Sequence, residues 1–322
     1  MKKELELWQF IAKRLKNDQK VMLLVVVESM GSSPGRQGFK MAVDTEGELC
    51  GSVGGGIMEI KLIELAKDRL EKNEYTSFLK KQIHNKSVTH DQSGMICSGE
   101  QTILFFPLAK KDLKTIQHIL SILKKNELAV LKLTPQYFQV FDNQKLTNDF
   151  NFIAADETSF VFTENVGFKN HLYIVGGGHC ALALSELMSK MDFQIHLFDD
   201  RSEVNTIQKN KFAHHIETID YEAIGSKIPS GHNIYVVVMT VGYRTDAVVI
   251  RQLLDKNVRY LGVLGSGAKM STLLEMLENE GFSPEILEGI HTPIGLKINS
   301  QTPEEISVSI AAEIVSVKNR FF

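Results

Sequence analysis

The sequence predicts an α/β protein with two domains: an N-terminal α/β domain built on a mixed sheet, then a Rossmann-like domain with a doubly wound parallel sheet. Its 322 residues are enough for about two domains. From residue 172 onward, apolar strand patterns alternate with helical patterns, which is typical of parallel βαβ units. A glycine-rich strand-to-helix turn at residues 174–181 introduces this alternation. Polar residues and glycine interrupt the apolar pattern at residues 163–170, so we place the domains at residues 1–165 and 166–322.

The first domain is expected to begin with an amphipathic helix over residues 3–17. Its apolar face consists of Leu5, Trp8, Ile11, Ala12 and Leu15. Apolar runs predict strands at residues 21–27, 39–43, 49–53 and 101–107, and two more within residues 128–142. Helices are expected at residues 56–72 and 110–126, with residues 73–98 as a loop containing some strand. We expect the helix at residues 56–72 to bury Ile57, Ile60, Ile63, Ala66 and Leu70.

In the second domain, strands and helices are expected in regular succession. The strands are predicted at residues 172–175, 194–198, 234–240 and 260–264, and the helices between them at residues 179–191 and 246–255. The last helix has a well-marked beginning. Thr302 can cap it, Pro303 suits its first turn, and Glu305 completes a capping box.

Composition and charge narrow the class of protein. The formal net charge is −3, and basic residues form no long tract, so we expect no nucleic-acid partner. The longest apolar runs are far shorter than the ~20 residues that a membrane helix needs, so we expect no membrane insertion. Cys50, Cys97 and Cys180 lie far apart, which fits neither a disulfide framework nor a paired-cysteine zinc site. We therefore expect a cytoplasmic protein, with Cys50 and Cys180 as packing residues.

Two clusters of glycine and small polar residues lie between residues 31 and 59 and suit an anionic ligand. Glycine lets a ligand approach the backbone closely, and a helix beginning offers free N–H groups with a partial positive charge. The second cluster opens the predicted helix at residue 56. The candidate contacts for a phosphate-bearing ligand are Ser32, Ser33, Arg36, Lys40, Gly54, Gly55 and Gly56.

Three charged residues near these clusters each have two interpretations. Glu59 lies in the first turn of the predicted helix, where it either complements the helix dipole or accepts hydrogen bonds from a heterocycle with ring N–H and amino donors. Arg36 is either a charge partner for the ligand or a solvated loop cation. Lys40 is either a second charge partner or an outward-facing strand residue.

The second glycine turn has the pattern of a dinucleotide-binding loop. Gly176, Gly178 and Ala181 occupy the key positions of G-x-G-x-x-A, between a predicted strand and a predicted helix. Asp199 stands 21 residues after Gly178, where an acidic residue would bind a ribose hydroxyl. Asp199 favours NAD and Arg201 leaves NADP open, and the pattern does not decide whether either cofactor binds.

A further glycine turn follows the predicted strand at residues 260–264. Gly265 and Ser266 would lie at the carboxyl-terminal edge of the parallel sheet, where such sheets bind ligands, and Lys269 could add positive charge. The alternative is an ordinary strand-to-helix turn, which this motif alone favours.

Several short blocks, in the same order along both domains, resemble the XdhC/CoxI family of accessory proteins, which mature molybdenum hydroxylases such as xanthine dehydrogenase. In the first domain these blocks are Gly31-Ser32-Ser33-Pro34, Gly38-Phe39-Lys40-Met41, residues 51–59 and Gly94-Met95-Ile96-Cys97-Ser98-Gly99. In the second domain they are Gly176-Gly177-Gly178-His179, Asp199-Asp200-Arg201, residues 262–266, Pro293-Ile294-Gly295-Leu296 and residues 302–306.

The resemblance implies a cofactor-binding chaperone rather than a catalyst. Such a protein binds the molybdenum cofactor (molybdopterin), protects its sulfurated form and passes it to an apo xanthine dehydrogenase or a related molybdenum hydroxylase. It implies a cysteine desulfurase as the partner that supplies sulfur, and we expect a homodimer. The resemblance makes Cys97 a neighbour or ligand of molybdenum, and it places His179 with Gly176 and Gly178 in the second ligand site. The alternative for Cys97 is a small buried side chain.

Two other functions stay open from the sequence. One is an NAD(P)-dependent oxidoreductase that uses the Rossmann turn on a small molecule, although no histidine, lysine or tyrosine catalytic set accompanies that turn. The other is a dimeric scaffold that docks a hydroxylase and a desulfurase without a bound cofactor.

Overall fold

A computed structural model describes residues 2–84 and 99–320 and divides the chain into two units, Met1–Gly167 and Phe168–Phe322. The helices of the first unit are α1 (Lys2–Lys16), α2 (Gly56–Glu71) and α3 (Leu113–Lys125), the last preceded by a 3₁₀ turn at Lys110–Asp112. Its strands are β1 (Val21–Gly31), β2 (Lys40–Asp44), β3 (Leu49–Gly51), β4 (Phe78–His84), β5 (Gly99–Leu108), β6 (Ala129–Leu133), β7 (Phe138–Asp142), β8 (Phe150–Asp156) and β9 (Ser159–Val166).

The first sheet of this unit has the strand order β3-β2-β1-β5-β4 and is covered on both faces. On one face, Leu23 and Val25 of β1 pack with Trp8 of α1. On the other face, Leu24 and Val26 of β1 pack in the cluster of α2. Burial on both faces is why the sequence of β1 is a continuous apolar run rather than an alternating one.

The predicted inward face of α2 is confirmed at Ala66 and Leu70 but wrong at Ile57 and Ile60. Ile57 and Ile60 are 58% and 56% exposed, whereas Met58 and Leu62 are buried together with the later residues Ala66 and Leu70. The helix carries two overlapping apolar stripes. Packing against the first sheet, rather than periodicity, decides which stripe is buried.

A second sheet completes the first unit, with the strand order β7-β6-β9-β8. The hairpin of β8 and β9 was not predicted. Asp156 Oδ1 accepts a hydrogen bond of 2.7 Å from Thr158 N in its turn, which is a typical Asx turn. Every strand pair described in this unit is antiparallel, where we expected a mixed sheet.

The second unit is the predicted doubly wound parallel domain. Its strands are β10 (Asn170–Val175), β11 (Phe193–Asp199), β12 (His215–Thr218), β13 (Gly231–Val238) and β14 (Val258–Val263). Its helices are α4 (His179–Ser189), α5 (Asn205–Lys209), α6 (Tyr243–Arg251), α7 (Gly267–Asn279), α8 (Pro284–Glu288) and α9 (Pro303–Lys318), with a 3₁₀ helix at Tyr221–Ser226.

All strands of this sheet are parallel, in the order β12-β11-β10-β13-β14. Residues of α4 and α9 pack in the cluster on one face, and residues of α6 and α7 pack in the cluster on the other. The α/β class and the Rossmann-type second domain are therefore confirmed. The strand order reverses between β10 and β13, which is the point where open α/β sheets bind ligands.

The capping box at the last helix is also confirmed. Thr302 Oγ1 accepts a hydrogen bond from Glu305 N, and Glu305 Oε2 accepts one from Thr302 N, both at 3.2 Å. None of the helices described is both long and apolar enough to cross a lipid bilayer.

Candidate functional site

The two glycine clusters of the first unit pack against each other. A Cβ atom on Gly54 would lie 2.7 Å from the backbone nitrogen of Gly35, and one on Gly35 would collide with the Val53 carbonyl. Gly54 also has a φ of +136°, which L side chains rarely adopt. Glycine at both positions therefore allows two backbone segments, distant in sequence, to meet at the beginning of α2. We call residues 31–38 and 52–56 together the cradle.

Glu59 fixes the second segment of the cradle. Its Oε2 accepts three hydrogen bonds, from Ser52 Oγ at 2.6 Å, Val53 N at 2.8 Å and Gly55 N at 3.0 Å. Hydrogen bonds to a carboxylate are roughly twice as strong as neutral ones. The carboxylate therefore holds the loop in its turn and also lies near the positive end of the α2 dipole.

One side of the cradle is uncovered by the residues that the structure describes. Gly55 and Gly56 have φ values of +75° and +71°, and no other part of residues 2–84 and 99–320 comes within 4 Å of the point where a Cβ on Gly55 would be. Gly55 is also the N-cap of α2, and no side chain caps this helix. The first N–H groups of α2 therefore adjoin a surface that a ligand can approach.

The first segment of the cradle is fixed in part by the buried side-chain amides of two glutamines. Ser33 Oγ donates a hydrogen bond of 2.9 Å to the Gly35 carbonyl, and Gly35 N donates one of 3.0 Å to Gln101 Oε1. Gln101 Nε2 in turn donates to Gln82 Oε1 at 2.9 Å. Both glutamines are buried. They were not predicted as part of the site, and their only signal in the sequence is a polar residue inside a strand.

Arg36 and Ser32 lie at the surface of the same segment. The Arg36 Nη1 donates a hydrogen bond of 3.1 Å to the Gly31 carbonyl, and its side chain is exposed. Ser32 is also exposed. The structure thus brings Ser32, Ser33 and Arg36 into one loop beside Gly54, whether or not a ligand binds there.

Lys40 is directed away from solvent. Its Nζ lies 2.8 Å from Glu164 Oε2, and the two side chains are 8% and 1% exposed. Burial acts to lower the pKa of Lys40, but the carboxylate of Glu164 holds that pKa above its ordinary value. Lys40 is therefore neither an outward strand residue nor a free cation. In the sequence, the one indication of this ion-pair partner is that a single acidic residue, Glu164, interrupts the apolar pattern of β9.

The predicted metal contact, Cys97, lies outside the described residues. Cys50 and Cys180 are partly buried, and burial raises the pKa of both thiols. A raised pKa makes a thiol less reactive. Among residues 2–84 and 99–320, no three His, Cys, Asp or Glu side chains converge as a metal-binding group.

In the second unit, the glycine turn after β10 has the geometry that its sequence predicts. Gly176 has a φ of +108°, and a Cβ there would collide with the Met239 carbonyl at the end of β13. Gly178 is the N-cap of α4, and no neighbouring atom in the described part of the chain lies within 4 Å of its Cβ position. His179 follows it and is exposed. The turn is therefore tight on the side of the sheet and open at the helix beginning.

Asp199, the predicted ribose contact, is engaged inside the protein. It is 1% exposed, and Gly177 N donates a hydrogen bond of 2.6 Å to its Oδ2. The Arg201 guanidinium binds both carboxylate oxygens, at 2.8 and 2.9 Å. Burial acts to raise the pKa of Asp199, but the bonds from Arg201 and Gly177 hold it below its usual value. A ribose hydroxyl at this carboxylate would have to displace Arg201.

The turn after β14 is built as a helix cap. Ser266 Oγ accepts a hydrogen bond of 3.4 Å from Lys269 N at the beginning of α7, and Gly265 packs against Met270. Lys269 Nζ lies 3.6 Å from Asp246 Oδ2. This geometry is that of an ordinary strand-to-helix turn with one cation directed toward Asp246 in the first turn of α6.

Asp246 is a buried acid at this edge that the sequence did not single out as a ligand contact. Its Oδ1 accepts hydrogen bonds from Thr240 N at 3.0 Å and Thr240 Oγ1 at 2.6 Å. Burial raises the pKa of Asp246, although Thr240 and Lys269 oppose that effect. From the first turn of α6, Asp246 thus contacts Thr240 in the loop after β13 and Lys269 in the first turn of α7.

Comparisons with known proteins agree across both units. The family model for the XdhC Rossmann domain matches residues 172–314, and the model for the XdhC and CoxI family matches residues 14–80. A protein of Bacillus subtilis strain 168, named as a probable xanthine dehydrogenase subunit, is 23% identical over 326 residues. The alignment covers 95% of this chain and 96% of that protein.

Two further proteins are similar over nearly the whole chain. The uncharacterized protein YqeB of Escherichia coli strain K12 is 23% identical over 91% of this chain, which spans only 43% of the length of YqeB. A crystal structure of a xanthine dehydrogenase from Bacillus halodurans aligns with a TM-score of 0.68 and 23% identity, covering 99% of this chain and 96% of that one. This last similarity shows a shared fold.

Proposed function

We propose that this chain, which belongs to the XdhC and CoxI family, is an accessory protein that binds the molybdenum cofactor and delivers it to an apo molybdenum hydroxylase of the xanthine dehydrogenase type. One observation carries the binding part of this proposal: two glycine segments meet at the open beginning of α2. The delivery part is supported by the name of the Bacillus subtilis relative, which links that protein to xanthine dehydrogenase.

The groups of the cradle fit the polar parts of a pyranopterin phosphate. The N–H groups of Gly54 and Gly55 already donate to Ser52 Oγ and Glu59 Oε2. The backbone N–H groups of Gly56 and the first turn of α2 would therefore hold the phosphate, with Arg36 and Ser32 on the neighbouring loop. Glu59 Oε2 already accepts three hydrogen bonds from the loop. Within the described part of the chain, Glu59 Oε1 makes no hydrogen bond. That second oxygen would accept a hydrogen bond from the pterin ring. When bound, the cofactor would supply the molybdenum centre that a hydroxylase requires.

Two residues have more indirect roles in this proposal. Cys97 would be the thiolate neighbour of molybdenum, since soft sulfur ligands suit that metal and its terminal sulfide. Lys40 would position the cradle rather than contact the phosphate, because its ammonium group is buried against Glu164. A cysteine desulfurase would supply the sulfur for the bound cofactor.

The alternative function, an NAD(P)-dependent oxidoreductase, is less well supported by the second unit. Its defining acid, Asp199, has both carboxylate oxygens bonded within the protein. A calorimetric titration with NAD and NADP would distinguish the two functions. Tight binding of either nucleotide, with turnover of a small substrate, would favour the oxidoreductase.

Reconstitution of an apo-hydroxylase tests the proposed function. Anaerobic mixtures of apo xanthine dehydrogenase and molybdenum cofactor would be compared with and without this protein, and the recovered hydroxylase activity would be measured. We expect faster and more complete activation with the wild-type protein. Activation should fall strongly with Glu59→Gln and Cys97→Ser.

Glu64→Gln provides the matched control, because Glu64 is exposed on the same helix as Glu59 and lies outside the cradle. It should activate the hydroxylase as the wild type does. Equal activation with and without the protein would overturn the proposal. If both site variants instead kept full activity and still captured the hydroxylase and the desulfurase, the protein would be a scaffold.

A further inference from the structure

The strand β7 presents an open edge of the second sheet. In its pairing with β6, Tyr137 exchanges hydrogen bonds with Thr134, and Asn143 N donates to Leu128 O at 2.8 Å. Because bonded residues alternate along an antiparallel strand, the backbone groups of Phe138, Val140 and Asp142 point away from β6. Within the described residues, no backbone partner meets them on that outer side.

A groove runs along this edge on the face that carries α3. Its lining includes Lys114 and His118 from α3, and Phe138 and Val140 from β7. Both apolar side chains are only partly buried. An open edge strand with apolar side chains readily pairs with another strand, so natural proteins commonly protect such edges. The residues described here contain no charged bulge or covering helix that would protect β7.

The charges around the groove are complementary to those of β7 itself. Lys114 is exposed and has no ion-pair partner in the described part of the chain. At the other end, Asp142 Oδ1 binds His118 Nε2 at 2.7 Å, and the Asp142 side chain is 53% exposed. One end of the groove is therefore cationic, and the other end carries an acid whose second oxygen has no partner among the described residues.

We propose that β7 pairs antiparallel with β7 of a second copy of this chain, forming a two-fold interface that joins the two second sheets. Centred on Val140, this register places Phe138 opposite Asp142 of the partner subunit, with both side chains on the groove face. Asp142 of the partner subunit then approaches Lys114. The two-fold axis repeats this pair, so each copy contributes one cation and one acid.

This register also gives hydrogen-bond partners to the outward-facing backbone N–H and C=O groups of β7. Val140 lies opposite Val140 of the partner subunit in this register, and the backbone N–H and C=O groups of both residues point outward. The two residues would therefore exchange a pair of hydrogen bonds. The groove is filled by the partner's Phe138 and Val140, which removes apolar surface from water. An extended strand of an unrelated protein could use the same backbone groups, but the paired charges favour the chain's own β7.

Sedimentation velocity over a concentration series tests this interface. The wild type should show a reversible monomer–dimer equilibrium. Val140→Pro removes one outward N–H and no bond to β6, so it should shift the protein to monomer while circular dichroism remains unchanged. Lys114→Glu and Asp142→Lys should each weaken dimerisation by about tenfold.

Charge exchange tests the register itself. The double variant Lys114→Glu/Asp142→Lys restores an opposite-charge pair across the axis and should return the dimer to near the wild-type affinity. Lys124→Glu makes the same charge change on α3 away from the groove and should have no effect. A wild type that stays monomeric at every concentration would overturn the proposal. So would a dimer that is insensitive to Val140→Pro and Lys114→Glu, because it would use another surface.

Discussion

Lys40 and Glu164 form a buried ion pair that joins the two antiparallel sheets of the first unit, with 2.8 Å between Lys40 Nζ and Glu164 Oε2. Lys40 begins β2, two residues after the first cradle segment, and Glu164 lies in β9, 124 residues later. Lys40 Nζ also donates a hydrogen bond of 3.3 Å to the Gly38 carbonyl. The pair therefore connects the second sheet to the base of the cradle.

Removing one member of this pair should destabilise the first unit strongly. A buried charge without its partner typically costs about 3–5 kcal/mol, so Lys40→Met or Glu164→Gln should lower the free energy of unfolding by roughly that amount. The double variant Lys40→Met/Glu164→Met should cost clearly less than the sum of the two. Trp8 is the only tryptophan and is buried in this unit, so its fluorescence during denaturation reports the effect.

Lys72→Met is the control for the ion-pair variants. Lys72 pairs with Asp68 at 2.8 Å on the surface of α2, with 59% of its side chain exposed. Exposed pairs contribute about 0–1 kcal/mol, so this change should hardly move the transition. A similar loss in Lys72→Met and Lys40→Met would contradict the role given to the buried pair.

The two central glycines of the cradle should differ in their tolerance of alanine. A Cβ on Gly54 meets Gly35 N at 2.7 Å, whereas a Cβ on Gly55 has no neighbour within 4 Å among the described residues. Both have a positive φ, which costs of order 1–3 kcal/mol for a non-glycine residue. Gly54→Ala should therefore destabilise the first unit more than Gly55→Ala does, as measured by Trp8 fluorescence. Equal losses would mean that the two segments do not need their close contact.

The second unit should lose stability in acid because of its histidines. His196 stacks between Tyr173 and His215, with ring centroids 4.5 and 4.8 Å away. Burial first, and then His171, His215 and His214, lower the pKa of His196 to about 3. Burial and His215 also lower the pKa of His214. Since the unfolded chain binds protons below about pH 6.5 and the folded chain resists them, stability falls as the pH drops below that value.

The free energy of unfolding of the second unit should fall by up to about 1.4 kcal/mol per pH unit for each such histidine. Hydrogen exchange of peptides from the parallel sheet, followed between neutral pH and mild acid, would measure it. His196→Gln should flatten the dependence, whereas the exposed control His232→Gln should retain it. An unchanged pH dependence in His196→Gln would show that this histidine is not its source.

Asp199→Asn should destabilise the second unit even without any ligand. The carboxylate of Asp199 receives hydrogen bonds from Gly177 N and from Arg201, so the amide would lose charge-assisted bonds at a buried position. Each is worth about 1.5–3 kcal/mol. Hydrogen exchange of the ligand-free protein should show faster opening around the glycine turn. If Asp199 served only to bind a ribose, the ligand-free protein would be unaffected.

Much of the architecture could be predicted from local patterns. The alternation after residue 172 predicted the parallel sheet, and Thr302 with Glu305 predicted the beginning of α9, because these signals lie within one element or one turn. The buried face of α2 could be predicted only in its second half, at Ala66 and Leu70. Ile57 and Met58 begin two apolar stripes of similar quality, and the contact with the first sheet selects the second.

For the candidate site, the sequence suggested individual residues but not the contacts that they make. Sequence placed Gly54, Glu59 and Asp199 among the functional candidates, but their partners depend on the three-dimensional fold. The contact of Gly54 with Gly35 and the pair of Lys40 with Glu164 are long-range, and no local pattern encodes them. The bond between Asp199 and Arg201 is local. The sequence shows an acidic residue two positions before a basic one. It does not indicate whether the two side chains bind each other or a ligand.

The central claim, that the cradle binds the molybdenum cofactor, is tested most directly by anaerobic gel filtration with molybdenum and pterin measured per protein chain. The wild type and the control Glu64→Gln should retain both in equal amounts. Glu59→Gln should bind about tenfold more weakly, because it loses charge-assisted hydrogen bonds that hold the loop. Wild-type protein that elutes without pterin, or Glu59→Gln that retains as much as the wild type, would contradict the account.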